Sequence, residues 1–93
     1  MKYDLSIIIP SFNSEQTILE SFDSILLQNL SISYEVIIVD DCSTDNSLEL
    51  IRNKIRDYKN FKVYKNKSNL GGGATRNIAI SKTNSNIIYC LDS

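Results

Sequence analysis

Three carboxylates stand where a parallel sheet presents its chemistry. Asp40 and Asp41 close an apolar run over residues 36–39, and Asp92 closes another over residues 87–91. Carboxylates at strand exits accept hydrogen bonds from sugar hydroxyls or base N–H groups, or hold a hard divalent cation whose charge offsets a diphosphate. A nucleotide is the ligand class that combines these demands. A plainer role is open to the same stretch, because Asp40, Ser43 or Asp45 in VDDCSTDNS also suit the capping of a following helix. The two uses are compatible. A second candidate is NLGGGATRN, whose glycines offer a tight backbone free of side chains ahead of a helix, with Arg76 in the first turns aimed back toward the same crevice. It follows a third strand, lacks a Lys-Ser/Thr ending and does not fit GxGxxG after a first strand, so it is neither a P-loop nor a dinucleotide fingerprint.

The elements that must position these groups follow from the apolar pattern. Residues 5–10 form an apolar run closed by Pro10, which cannot donate to a continuing ladder. Over residues 15–28, Ile18, Leu19, Phe22, Ile25 and Leu26 fall at helical spacing, with Asn13 or Ser14 as the cap. Residues 35–40 are β-branched through their centre and read as a buried strand. Leu48, Ile51 and Ile55 put a stripe on a helix over residues 45–58. Phe61–Lys65 alternates apolar and basic residues, as suits an edge strand that lysine blunts. Ala74, Ile78 and Ala79 mark a third helix, and residues 86–91 a fourth strand whose unbroken apolar character suits burial on both faces. Alternating strands and helices with short connections predict an α/β fold. The expectation is a Rossmann-like, doubly wound parallel sheet of four strands in the order 3-2-1-4, with helices on both faces and a ligand crevice at the strands' carboxyl ends. There Ser11, Phe12 and Asn13, then Asp40, Asp41 and Cys42, then Asp92 would project, and Asp41, Arg76 and Asp92 are expected to meet around one hollow.

Composition narrows the functions available. The 93 residues make one domain, residues 1–93, and 42% hydrophobic with 23% charged residues is ordinary for a globular chain. A net charge of −1 leaves no basic footprint, so no nucleic-acid partner is expected. With no histidine, zinc fingers and Ser/His/Asp catalysis are excluded. No apolar stretch reaches the roughly 18–20 residues that span a bilayer, and the start is too soon interrupted for a signal peptide, so a cytoplasmic location is expected. Cys42 and Cys90 are not at CxxC spacing, and the proposed strand order holds them apart, so both are expected to stay reduced.

Taken together, SIIIPSFNSEQTILESFDSIL, YEVIIVDDCSTDNSLELI, NLGGGATRNIAI and IIYCLDS closely resemble the amino-terminal nucleotide-binding half of family 2 glycosyltransferases with the GT-A fold. The resemblance covers essentially the whole chain in four ordered motifs. It implies transfer of a sugar from a nucleotide diphosphate donor to an acceptor hydroxyl, with a divalent metal, manganese or magnesium, bridging the diphosphate. By the same resemblance, Pro10, Ser11 and Asn13 wall the base and ribose, Glu15 is an acid beside them, and Asp41 accepts the base N–H. Uracil N3–H and guanine N1–H are donors at that point and cytosine N3 is an acceptor, which ranks UDP donors above GDP and CMP last. Asp40 orients the loop. Arg76 approaches base or diphosphate, Gly71, Gly73 and Ala74 keep that approach open, and Asp92, first acid of an Asp-x-Asp signature, reaches the ribose or the metal as part of the site.

Where the family most often has glycine this chain has Cys42, and Ala79 replaces another. The second acid of Asp-x-Asp, the acceptor region and the catalytic carboxylate would all follow Ser93. The chain is therefore expected to be the truncated front of an enzyme whose acceptor is a glycan or lipid-linked glycan and whose parent is peripheral to a membrane. No catalytic residue is expected within it. Its last strand would be left at an edge, where a second copy could pair. The competing reading is a non-catalytic α/β binding or oligomerisation module in which the acids are only caps. A receiver-like variant of it would need its acid pair after the first strand, and here the pair follows the second.

Overall fold

The computed structural model describes residues 2–92. The chain runs β1 (Leu5–Ser11), α1 (Ile18–Leu27), β2 (Tyr34–Asp40), α2 (Ser47–Ile55), β3 (Phe61–Lys65), α3 (Gly72–Ser81) and β4 (Ile88–Cys90). The strands are parallel and ordered β3-β2-β1-β4, the doubly wound arrangement that the alternating pattern predicts.

Period-two alternation sends the strand residues to two unequal cores. On one face Ile7, Ile9, Val36 and Ile38 meet Ile18, Phe22 and Ile25 of α1, Ile51 of α2 and Phe61 of β3. Phe22 and Phe61 meet edge to face, with ring centroids 5.8 Å apart, a favoured aromatic geometry. On the other face Ile8, Ile37 and Val39 carry α3 through Ala79, flanked by Ile78 and Tyr64. The small Ala79 lets α3 lie close over β1 and β2. At the amino end of the sheet a buried polar knot fastens the turn after α3. The Ser6 hydroxyl and the Asn84 amide both donate to Glu35 Oε2, at 2.6 Å each, and Ser6 also shares a 2.6 Å bond with the Ser85 hydroxyl.

Four elements differ in extent from the sequence-based expectation. β1 does not end at residue 10 but continues through Pro10 to Ser11, still in register with β2. α1 starts at Ile18 rather than at residue 15, because Asn13 takes a left-handed backbone (φ 48°) and a turn intervenes, with the Ser14 carbonyl accepting from Thr17 and Ile18 amides. Neither Asn13 nor Ser14 caps that helix through its side chain. α2 is shorter at both ends than residues 45–58. β4 is confined to three residues, and Ile87 (63% exposed) and Tyr89 (59% exposed) are far from the two-sided burial suggested by their apolar run. The cause is position: β4 forms the edge beyond β1, while α3 covers β1 and β2.

Candidate functional site

The carboxyl ends of β1 and β2 open into a cavity of about 240 Å³. Pro10, Ser11 and Phe12 wall one side; Asp41 lies beyond the end of β2; Asn69, Gly71, Gly72 and Thr75 form the opposite wall, at the start of α3. The parallel register that pairs Ser11 with Asp40 extends one bond further, from the Asp41 amide to the Ser11 carbonyl at 2.8 Å. Asp41 is thus delivered beside Ser11 by the sheet itself.

The Asp41 carboxylate is 4% exposed and is held by the glycine-rich loop. Oδ1 accepts from the Leu70 amide at 2.7 Å and from Asn66 Nδ2 at 3.0 Å, and Oδ2 from the Gly71 amide at 2.9 Å. Asn66 also donates to the Thr75 hydroxyl, and Asn69 to the Asp41 carbonyl. Burial pushes the carboxyl upward, but the hydrogen bonds from Leu70, Asn66, Gly71 and Thr75 outweigh it and hold Asp41 below its ordinary value. It is a fixed anionic acceptor at neutral pH. Gly71 has φ 91°, the left-handed region that glycine enters without penalty. Asn66, Asn69 and Thr75 were not singled out by the sequence pattern; two asparagines three residues apart before a glycine run were the available signal.

Asp40 is fully buried and turns away from the cavity, accepting from the Ser43 amide and hydroxyl at 3.0 and 2.6 Å. These bonds tie the turn after β2 to the end of that strand. Ser11 bonds the Ser14 hydroxyl at 2.6 Å. Asn13 and Glu15 do not line this cavity but a separate one that includes Asp45, and their side-chain oxygens are taken up by the turn after β2: Asn13 Oδ1 accepts from the Thr44 amide, and Glu15 Oε2 from the Asn46 amide. In that turn burial raises the Asp45 carboxyl, yet bonds from the Ser47 hydroxyl, the Ser47 amide and the Glu15 amide hold it low.

Asp92 and Arg76 lie elsewhere. Asp92 lines a second cavity with Leu91 and with Thr17, Glu20, Ser21 and Ser24 on the flank of α1, because Leu91 packs on the α1 side of the sheet. Arg76 is exposed on α3 and lines neither cavity. The single hollow expected for Asp41, Arg76 and Asp92 is thus formed here by β1, β2 and α3 residues around Asp41 alone. No group of three His, Cys, Asp or Glu among the described residues could hold a metal ion, so these residues do not by themselves fit a divalent cation. No helix among them is long and apolar enough to cross a membrane. Cys42 and Cys90 are free thiols.

Comparison with known proteins gives the family of the chain that carries this acidic acceptor and glycine-rich turn. Residues 6–93 match Glycosyl transferase family 2. The chain belongs to that family. Poly(ribitol-phosphate) beta-N-acetylglucosaminyltransferase TarS of Staphylococcus aureus (strain Mu50) is 38% identical over 90 residues, spanning 95% of this chain and 16% of TarS. Poly(ribitol-phosphate) beta-glucosyltransferase of Bacillus spizizenii (strain W23) is 42% identical over 91 residues, spanning 96% of this chain and 14% of that protein. Among solved structures, residues 1–349 of S. aureus TarS in complex with UDP-GlcNAc superpose with a TM-score of 0.83 at 34% identity, covering 96% of this chain and 26% of that one. A Pyrobaculum calidifontis mannosyltransferase in complex with GDP-Man and Mn2+ shares the fold, with a TM-score of 0.85 at 21% identity over 99% of this chain and 28% of its own. The family 2 chain described here therefore spans about a sixth of the length of the first of these relatives.

Proposed function

We propose that this chain is the front of the donor-binding part of a glycosyltransferase and binds a nucleotide diphosphate sugar, a UDP-sugar in the first place, for transfer to an acceptor hydroxyl. The observation that carries this reading is Asp41, a buried and charged acceptor in a cavity whose other walls are Pro10 and Ser11 on one side and Gly71 on the other. Oδ2 receives the Gly71 amide while Oδ1 receives two donors, so Oδ2 is the oxygen with more room for a base N–H. Uracil and guanine supply that donor and cytosine presents an acceptor, hence the order UDP, GDP, CDP. The solved TarS complex with UDP-GlcNAc supports the first place in that order. Arg76, exposed on α3, is assigned to the diphosphate, and Asp92 to the ribose or to one coordination position of a divalent cation. Among the described residues no group of three His, Cys, Asp or Glu could hold a metal ion, and manganese or magnesium is assigned to a site completed by further residues of a longer protein. The glycan or lipid-linked acceptor, the cytoplasmic setting and any peripheral membrane association are assigned to that longer protein as well.

Calorimetric titration of the 93-residue chain with UDP, GDP and CDP, each with and without manganese, tests the reading. UDP is expected to bind most tightly and CDP least. Equal responses to the three bases, or none, would overturn it in favour of a non-catalytic α/β module.

The exposed β4 edge, with Ile88 and Tyr89 partly open to solvent, favours self-association of the isolated chain by strand pairing. Light scattering at rising concentration is expected to show dimer. A strictly monomeric profile removes the homodimer.

A further inference from the structure

The turns after β1 and β2 are cross-linked by a reciprocal exchange. Three consecutive amides of the first turn donate to side chains of the second and of the first residue of α2: Asn13 to Ser43 Oγ at 2.9 Å, Ser14 to Ser47 Oγ at 2.7 Å, and Glu15 to Asp45 Oδ2 at 3.3 Å. Three consecutive amides of the second turn donate back: Thr44 and Asp45 to Asn13 Oδ1 at 2.8 and 3.3 Å, and Asn46 to Glu15 Oε2 at 3.1 Å. Neither α1 nor α2 receives a capping bond from the side chain of its own N-cap residue. Amides at the start of a helix need acceptors from outside it, and each helix finds one in its own preceding turn, Ile18 in the Ser14 carbonyl and Ser47 in Asp45 Oδ1; the exchange between the turns satisfies the amides that come before them. Asn13 can serve as the hub because its left-handed backbone (φ 48°) is a conformation that asparagine tolerates better than most residues.

Immediately before the first turn lie residues 10–12, one wall of the cavity, and immediately before the second lies Asp41. The sheet sets Asp41 beside Ser11, and the exchange adds a second tie, between the segments that leave this wall and this acceptor. We propose that Asn13 and Glu15 are positioning residues, which hold the wall of the nucleotide cavity at residues 10–12 through the turn after β2 without touching the nucleotide. The proposal rests on the nucleotide reading above, and it predicts that their acceptor oxygens matter for binding while their donor groups and reach toward the cavity do not.

The test uses the 15N-labelled 93-residue chain with UDP as probe, measuring affinity together with hydrogen exchange at the Thr44, Asp45 and Asn46 amides. Asn13→Gly keeps the left-handed backbone and deletes the acceptor; it is expected to weaken UDP binding about tenfold and to speed exchange at Thr44 and Asp45. Asn13→Asp keeps an acceptor oxygen, and both readouts are expected to return to within about twofold of the parent. Glu15→Ala and Glu15→Gln form a second pair with the same logic at Asn46, which decides the matter should Asn13→Gly not fold. Phe22→Leu, a core change, controls for loss of stability alone and is expected to leave UDP affinity unchanged. Equal loss in Asn13→Gly and Asn13→Asp with the amides still protected would mean direct contact with the nucleotide and overturn the proposal. So would parental affinity in Asn13→Gly with the amides exposed. Failure of the parent chain itself to bind UDP, seen before any variant is made, overturns the nucleotide reading and the positioning role with it, whereas failure confined to the variants touches only the latter.

Discussion

The Gly71 amide donates to Asp41 Oδ2 across 2.9 Å, joining the exit of β2 to the start of α3 over thirty residues of chain. With the Leu70 amide on Oδ1, one carboxylate holds the turn of the glycine-rich loop. Asp41→Asn turns one of these two acceptors into a donor facing an amide. We expect a loss of about 1–3 kcal/mol of stability in chemical denaturation together with loss of UDP binding by calorimetry. In the parent chain, UDP titration is expected to shift the Leu70 and Gly71 amide resonances, because an incoming base N–H must share an oxygen with them.

Acid sensitivity follows from the same bonds. Asp41 and Asp45 both titrate lower in the folded chain than in the unfolded one. Their contribution is then fully present above the unfolded carboxyl value of about 3.9 and is lost as pH falls through the lower folded values. Melting temperatures measured from pH 2 to pH 6 are expected to be flat above about 5 and to drop below about 4. Asp41→Asn and Asp45→Asn are each expected to flatten that drop.

Cys42 has φ 63°, in the left-handed region that glycine enters without penalty. Cys42→Gly relieves the clash of Cβ with the backbone, offset by glycine's greater freedom when unfolded. A net gain of up to about 1 kcal/mol in denaturant titrations is expected.

Gly71 and Gly73 are predicted to respond oppositely to alanine, although neither has a neighbour within 4 Å of an added Cβ. Gly71 has φ 91°, so alanine there costs about 1–2 kcal/mol. Gly73 lies inside α3, where alanine is worth about 0.5–1 kcal/mol over glycine. Thermal melts of the two variants on either side of the parent would meet the prediction.

Arg76 is exposed on α3, and Arg76→Ala is expected to change stability by no more than about 0.5 kcal/mol. Its assigned role on the diphosphate predicts weaker binding of UDP and unchanged binding of uridine, a comparison that calorimetry makes directly.

Much of this architecture is legible in the letters. The β-branched run of β2 and the spacing of Ile18, Phe22 and Ile25 fix the elements, and short crossovers then leave few ways to order the strands. What local patterns miss is the partner of a polar side chain. Asn13 and Ser14 carry the residue types of helix caps, yet Asn13 serves the neighbouring turn, and nothing in nearby sequence distinguishes the two uses. Asn66 and Asn69 look like ordinary turn residues until Asp41 comes within reach, twenty-five or more residues away in sequence. The place of Asp92 depended on which flank of the sheet Leu91 packs against, a question of three-dimensional packing that an apolar run does not answer.

The two faces of the sheet are fastened unequally. α1 and α2 sit on a broad aromatic and aliphatic layer, while α3 rests on a small aliphatic patch, tied at its ends by Asp41 and by the knot around Glu35. On warming, the back layer would be the first to loosen. The wall that closes on a ligand is thus mounted on the least anchored helix, and a molecule bridging it to β1 would act as a splint for half of the domain.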